Sequence, residues 1–193
     1  HNGIDLQGTA RALIANSQAG GVTQGGSTIT QQYVKNILLA SARTKAEREA
    51  AAEDSVGRKI RELRYALGLE EQWSKEQILE GYLNIAYFGS QAYGVEVAAR
   101  RYFSKPAAEL NAGEAATLAG IPKSPVDYAP DTYPARALER RNHVLRRLAE
   151  EGHITPADAS RLQATPIALR PGMKRTTMGH YFVEEVRQYV EEK

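Results

Sequence analysis

The sequence contains no cysteine. That removes a disulfide framework, thiolate zinc sites and a cysteine nucleophile, but leaves the compartment open, because a large helical domain needs no disulfide in any compartment. Long apolar runs are missing too: the purely hydrophobic stretches reach about four residues, too short for a bilayer span or a signal peptide. Charge is not biased to one sign. The 25 lysines and arginines face 23 aspartates and glutamates for a net charge of +2, which gives no general mandate to hold polyanions such as nucleic acid by bulk electrostatics. Glycine and proline, 16 and 8 of 193 residues, are too few for a low-complexity or collagen-like chain. What remains is a chain long enough for a real core, as one domain or one domain with an appendage. It opens on His1 rather than methionine, which reads as a piece of something longer.

Hydrophobic periodicity favours helix almost throughout. Leu6, Ala10, Leu13 and Ile14 predict a first short helix. Residues 17–26, SQAGGVTQGG, hold four glycines in ten and read as a mobile loop that lets backbone approach a ligand closely. Thr28 and Gln31 form a T-x-x-Q capping box for a helix to about Ala40. Residues 41–54 are alanine-rich and charged, compatible with exposed helix or with partial disorder. Val56, Ile60, Leu63 and Leu67 make a helical stripe ending at Gly68. Ser74 opens the next helix with a second capping box, and Gly89 closes it. A further helix covers 94–103, stopped by Ser104-Lys105-Pro106. A third capping box at Asn111 to Glu114 heads a helix that stops at Ile121-Pro122, and 122–134 is irregular. Residues 134–151, capped by Gly152, and a segment begun by Thr155-Pro156 are helical; a last helix takes 181–192. With no alternating strand run and no internal repeat, the fold class is all-α.

Two polar groups stand out. On a helical wheel of 28–40, Ile29, Tyr33, Val34, Ile37 and Leu38 share one half; Thr28, Gln31, Gln32, Lys35 and Asn36 share the other. That second half is either a solvated face with a cap or a donor-rich wall offered to an anion such as phosphate beside a Gly-Gly loop. In 58–64, Arg58, Lys59, Arg61 and Arg64 crowd around one acid, Glu62. The plain account is an exposed i, i+4 pair between Arg58 and Glu62 worth roughly 0.3–0.5 kcal/mol. A glutamate ringed by cations otherwise suits ligating a metal or orienting a basic side chain better than serving as a general base. His143 and His153 lack partners at metal-ligand spacing, and arginines 136, 140, 141, 146 and 147 spread round their helix as solvated charges. Glu80, Asn84 and Tyr87 read as a buried polar strut between helices, or equally as part of a site.

Taken in order, GGSTITQQYVKN (25–36), RKIRE (58–62), KEQILEGYLNIAYFG (75–89) and LNAGEAATLAGIPKSPVDYAP (110–130) resemble four of the five motifs of the peptidoglycan glycosyltransferases, the transglycosylase module of class A penicillin-binding proteins. The first motif, E-D-x-x-F-x-x-H-x-G in that family, is represented only by His1-Asn2-Gly3; its catalytic glutamate falls seven residues before His1. Residues 1–170 correspond to the glycosyltransferase domain. Residues 171–193, with HYFVEEVRQYVEE, resemble the linker towards a transpeptidase domain.

The resemblance implies a lysozyme-like, two-lobed all-α fold, with a cleft between a large lobe and a small membrane-proximal lobe. It implies polymerisation of glycan strands from lipid II, inverting the anomeric centre and releasing a lipid diphosphate. Ser27, Gln32 and Lys35 would line the phosphosugar end of the donor. Arg43 and Arg61 would add charge near the diphosphate, position 61 being often lysine in the family, and Arg58 would be a further substrate-binding residue. Glu62 would be the catalytic residue within this chain, assisting through a divalent cation, Mg2+, or by holding a basic group. The implied partners are lipid II, the lipid-linked glycan strand, the membrane surface and cell-wall synthesis proteins, with no nucleic acid. The implied location is the outer face of the cytoplasmic membrane, with a transmembrane anchor outside this chain, and the module is the type that moenomycin targets. Two other readings stand beside this one: a lysozyme-like enzyme that cuts glycan, and a catalytically silent module that only binds lipid II.

Overall fold

Side-chain caps set where most of the helices begin. The computed structural model describes residues 27–53 and 55–170. The helices read at 6–14 and 181–192, the glycine loop 17–26 and the 171–193 linker lie outside the described residues. All regular structure among the described residues is helical, apart from one isolated bridge between Tyr87 and Tyr93. The all-α expectation holds for them. The chain divides into two compact units, 1–83 and 84–193.

The first unit contains α1 (Ile29–Ser41), α2 (Lys45–Ala52), α3 (Val56–Gln72) and the start of α4 (Lys75–Ile85). The Thr28/Gln31 capping box is formed as the sequence predicts. So is the Ser74/Gln77 box, with the Ser74 amide donating to Gln77 Oε1 at 2.8 Å and the Gln77 amide to Ser74 Oγ at 3.2 Å. The undecided stretch 41–54 contains α2, started by a Thr44/Glu47 capping box and almost wholly exposed. Its caps, not apolar burial, define its first turn. Helix α3 also runs past Gly68 to Gln72: a lone glycine in a helix costs about 1 kcal/mol, too little to end one supported on both sides.

The faces of α1 and α3 depart further from expectation. On α3 the apolar stripe faces outward: Val56 is 65% exposed, Ile60 60% and Leu67 47%. The buried positions are Arg58, Glu62 and Ala66, one i, i+4, i+8 row. On α1, Thr30 and Gln31 are buried alongside Tyr33 and Val34, whereas Ile29 is 46% exposed. A helical wheel separates two faces by polarity but does not say which one meets protein. On α3 ion pairs bury the polar row, whereas on α1 the buried Thr30 sits between Ile37 and Val34 on the apolar half and donates from Oγ1 to Glu70 Oε1 of α3 at 2.5 Å.

The second unit contains α5 (Val95–Phe103), a 3-10 turn at 107–109, α6 (Ala112–Gly120), a second 3-10 turn at 121–123, α7 (Pro134–Glu150) and α8 (Pro156–Ala164). Helix α7 packs against α6 and α8, and Phe88, Tyr102, Phe103, Leu118, Ile121 and Leu145 are fully buried. Two expectations fail, one in each unit. Arg141, read as a solvated charge, is only 2% exposed. Glu80 of α4, read as part of a buried strut, is exposed, while Tyr87 stacks on Tyr93 with ring centroids 4.7 Å apart.

Candidate active site

The cap that starts α1 leaves Ser27 just outside the helix, and the buried row of α3 points its charges at that same end. Lys59 Nζ donates to Ser27 Oγ and lies 3.3 Å from Glu62 Oε2. Arg58 Nη1 pairs with the other oxygen, Glu62 Oε1, and Arg58 Nε donates to the Glu53 carbonyl. Glu62 is 1% exposed, so both carboxylate oxygens are spent on cations away from solvent. The i, i+4 pair of the plain reading is therefore part of a buried triad, costly to break by removing one partner.

Gln32 joins this cluster from α1. Its Nε2 donates to the Ser27 carbonyl at 3.4 Å, and its Oε1 accepts from Tyr82 Oη of α4 at 3.1 Å. Burial pushes the Tyr82 phenol up from its ordinary range, which keeps it the donor in that bond. Lys35 lies one turn beyond Gln32, partly exposed and with no hydrogen bond or ion pair among the described residues.

Ser27, Gln32, Arg58 and Glu62 thus form one bonded cluster. Arg61 is exposed and makes no contact with it among the described residues. Arg43 stands beyond the opposite end of α1, exposed, its amide donating to Glu47 Oε2 at 2.8 Å; roughly 13 Å of helix axis separates Gln32 from Ser41. Two members of the cluster were not among the residues given a catalytic or substrate-binding role from sequence. Lys59 is adjacent to Arg58 in the motif and three residues from Glu62, a spacing that already put it on Glu62's side. Tyr82 lies within the matched segment 75–89, where nothing in the sequence marks its hydroxyl.

A divalent cation does not fit these residues as they stand. Both Glu62 oxygens face cationic nitrogens. No group of three or more His, Cys, Asp or Glu side chains among the described residues could hold a metal ion. An ion reaching Glu62 would have to displace Lys59 or Arg58, so no chemical step below passes through a metal.

A buried acid neutralised by two cations thus stands beside the α1 N-terminus and the Gln32 amide. Residues 1–149 match the family model described as Transglycosylase. The chain belongs to the transglycosylase family. It is 44% identical over 190 residues to "Penicillin-binding protein 1A" of Aquifex aeolicus, covering 98% of this chain and 24% of that protein. It is 37% identical over 195 residues to "Penicillin-binding protein 2D" of Bacillus subtilis, covering 100% of this chain and 27% of that one. Among solved structures, that of penicillin-binding protein 1A from Haemophilus influenzae is 29% identical with a TM-score of 0.45, over 82% of this chain and 19% of that chain. The chain spans about a quarter of the length of the curated relatives it matches.

Proposed function

We propose that this chain polymerises peptidoglycan glycan strands from lipid II, moving the anomeric carbon of a lipid-linked sugar from its diphosphate to an acceptor hydroxyl with inversion. The observation that carries this reading is the charge of the cluster around Glu62. Arg58 and Lys59 set two cations against Glu62 beside the α1 N-terminus, Lys35 adds a third one turn beyond Gln32, and the other acid nearby, Glu70, accepts from Thr30 Oγ1. Glycoside hydrolysis needs a second carboxylic acid to protonate a leaving alkoxide. A diphosphate leaves without a proton when fixed positive charge meets the charge that develops on it.

In this mechanism Lys59 and Lys35 meet the leaving diphosphate, with the Ser27 hydroxyl and Gln32 amide fixing its sugar end. Arg58 holds Glu62, and Glu62 holds Lys59 in place, so that Arg58 acts at one remove from the substrate. Arg43 and Arg61 meet other parts of a long lipid-linked ligand. The proton from the acceptor hydroxyl goes to the glutamate of the first motif, of which His1-Asn2-Gly3 are the last positions. The outward stripe of Val56, Ile60 and Leu67, with Tyr65 52% and Trp73 38% exposed, supports contact with the outer surface of the cytoplasmic membrane. No helix among the described residues is long and apolar enough to cross it.

The test is incubation of a chain that includes the residues before His1 with lipid II in vesicles, and separately with finished glycan. Polymer from the first is expected. Muropeptides released from the second with no polymer from the first would replace this reading by the glycan-cleaving one. Lipid II binding without turnover would leave a silent module.

A further inference from the structure

A groove of about 820 Å³ opens in the second unit between α6, α7, α8 and the extended segment 165–168. Phe103, Ile154, Leu162 and Ile167 give it apolar walls, and Arg141 of α7 lines it from beneath. The Arg141 side chain is almost completely buried, yet no carboxylate pairs its charge among the described residues. Its Nε and Nη2 donate to Asn142 Oδ1 at 3.1 and 2.8 Å, and Nη2 also to the carbonyls of Gln163 at 3.3 Å and Thr165 at 2.8 Å. Those carbonyls close the C-terminal end of α8, whose partial negative charge offsets part of the guanidinium's. Every partner is a neutral oxygen, and Nη1 has no hydrogen bond among the described residues.

The acids on the groove wall are already committed elsewhere. Glu114 accepts from Lys105 Nζ at 2.8 Å and from the Asn111 amide at 2.9 Å. Asp158 accepts from Arg161 at 2.8 Å and from the Thr155 hydroxyl at 2.8 Å. With Asp158 paired to Arg161 and Glu114 to Lys105 from outside the groove, Arg141 is the one charge on its wall that no opposite charge offsets among the described residues, where its Nη1 has no hydrogen bond. Burial without a counter-ion disfavours the charged form, and the Arg141 guanidinium is accordingly pushed down from its ordinary value. An arriving anion relieves that penalty, and a planar guanidinium edge matches a planar carboxylate better than it matches water.

We propose that this groove is a second binding site, one that takes a carboxylate-bearing peptide, with the carboxylate on Arg141 and an apolar side chain against Phe103, Leu162 and Ile167. The volume is that of a small-molecule or short-peptide pocket, larger than a lone anion needs. The site is built from residues of the second unit alone and stands independently of the polymerase reading. The carboxylate comes either from a peptide's C-terminus or from an acidic side chain within it.

The test uses the whole 193-residue chain, followed by amide NMR during titration with three peptides: acetyl-Leu-Ala-Ala as the free acid, its C-terminal amide, and acetyl-Leu-Glu-Ala amide. At least one carboxylate peptide is expected to saturate shifts at Ile154, Thr165 and Ile167, the one that does so identifying the source, while the fully amidated Leu-Ala-Ala peptide does not. Arg141→Gln should weaken that binding roughly tenfold or more, the loss of a charge-assisted bond. Should that variant fail to fold, Ala168→Trp decides: it plugs the groove from an exposed position, leaves Arg141 intact, and should abolish the shifts without lowering Tm. The proposal falls if no peptide moves the groove amides, if the amidated Leu-Ala-Ala peptide binds as well as the acids, or if Ala168→Trp binds unchanged.

Discussion

Lys59 Nζ lies between Ser27 Oγ and Glu62 Oε2, 3.3 Å from the latter, so one ammonium ties α3 to the entry of α1. On the proposed reading, Lys59 exchanges an internal partner for a substrate's phosphate. Lys59→Met is expected to lower kcat/KM by about a hundredfold or more, the loss seen when one donor to a developing negative charge is removed. Lys59→Arg should recover only part, because the fork cannot reproduce a point charge between two oxygens. Lys35→Ala should abolish polymerisation with helical content intact by circular dichroism. Near-parental turnover in Lys59→Met or Lys35→Ala would place the reacting charge elsewhere.

Glu62 is expected to matter twice over, and the two contributions separate. Glu62→Ala leaves Arg58 buried without its carboxylate, which should cost about 3–5 kcal/mol in urea unfolding. The double change Arg58→Met, Glu62→Leu removes both charges at similar volume and should regain most of that stability. It should not regain activity, because Lys59 then loses the carboxylate that positions it. Recovery of activity together with stability would reduce Glu62 to a structural role.

Caps and boundaries were legible in the sequence because they are local. Thr28, Ser74, Asn111 and Thr155 all cap as their spacing predicts, each reading out over three residues. Facing was not legible. Arg58 and Glu62 look like a surface pair until Ala66 shows which row of α3 is inward, and Arg141 looks solvated until the α8 carbonyls arrive from 22 and 24 residues downstream. The residues that pair across the cluster, Ser27 with Lys59 and Gln32 with Tyr82, lie 32 and 50 positions apart, beyond any helical period. The motifs located the cluster. The hydrogen bonds distinguish Arg58, which binds Glu62 and the Glu53 carbonyl, from Lys59, which bridges Glu62 and Ser27.

Gly81 and Gly68 both sit inside helices and should respond oppositely to alanine. A Cβ at Gly81 would lie 2.5 Å from Tyr33 Oη and 2.6 Å from its Cζ, on a ring that is itself buried. Overpacking of that kind costs about 1–3 kcal/mol. A Cβ at Gly68 meets nothing within 4 Å, so Gly68→Ala should stabilise by about 0.5–1 kcal/mol through helix propensity. Thermal unfolding of both variants checks the pair, and a Gly81→Ala protein as stable as its parent would mean that α4 and Tyr33 separate freely.

Tyr102 should make the second unit sensitive to alkali in a specific window. Its hydroxyl donates to the Phe88 carbonyl at 2.8 Å, and burial, the largest cause, pushes the phenol from 10.0 up to about 12. The folded protein therefore keeps this proton where the unfolded chain has lost it. The stabilisation is complete below pH 10 and is lost as pH rises through about 12, at up to roughly 1.4 kcal/mol per pH unit. Tyr33 and Tyr82 are shifted in the same direction by burial, so some alkaline loss persists without Tyr102. Tyr102→Phe should be less stable at neutral pH by about 1–2 kcal/mol, since the Phe88 carbonyl loses its donor, but its decline between pH 10 and about 12 should be shallower than the parent's. Urea unfolding across that range measures the difference in slope. Parallel declines in parent and variant would mean that the Tyr102 hydroxyl titrates as an exposed phenol does, and that the Phe88 bond does not hold its proton.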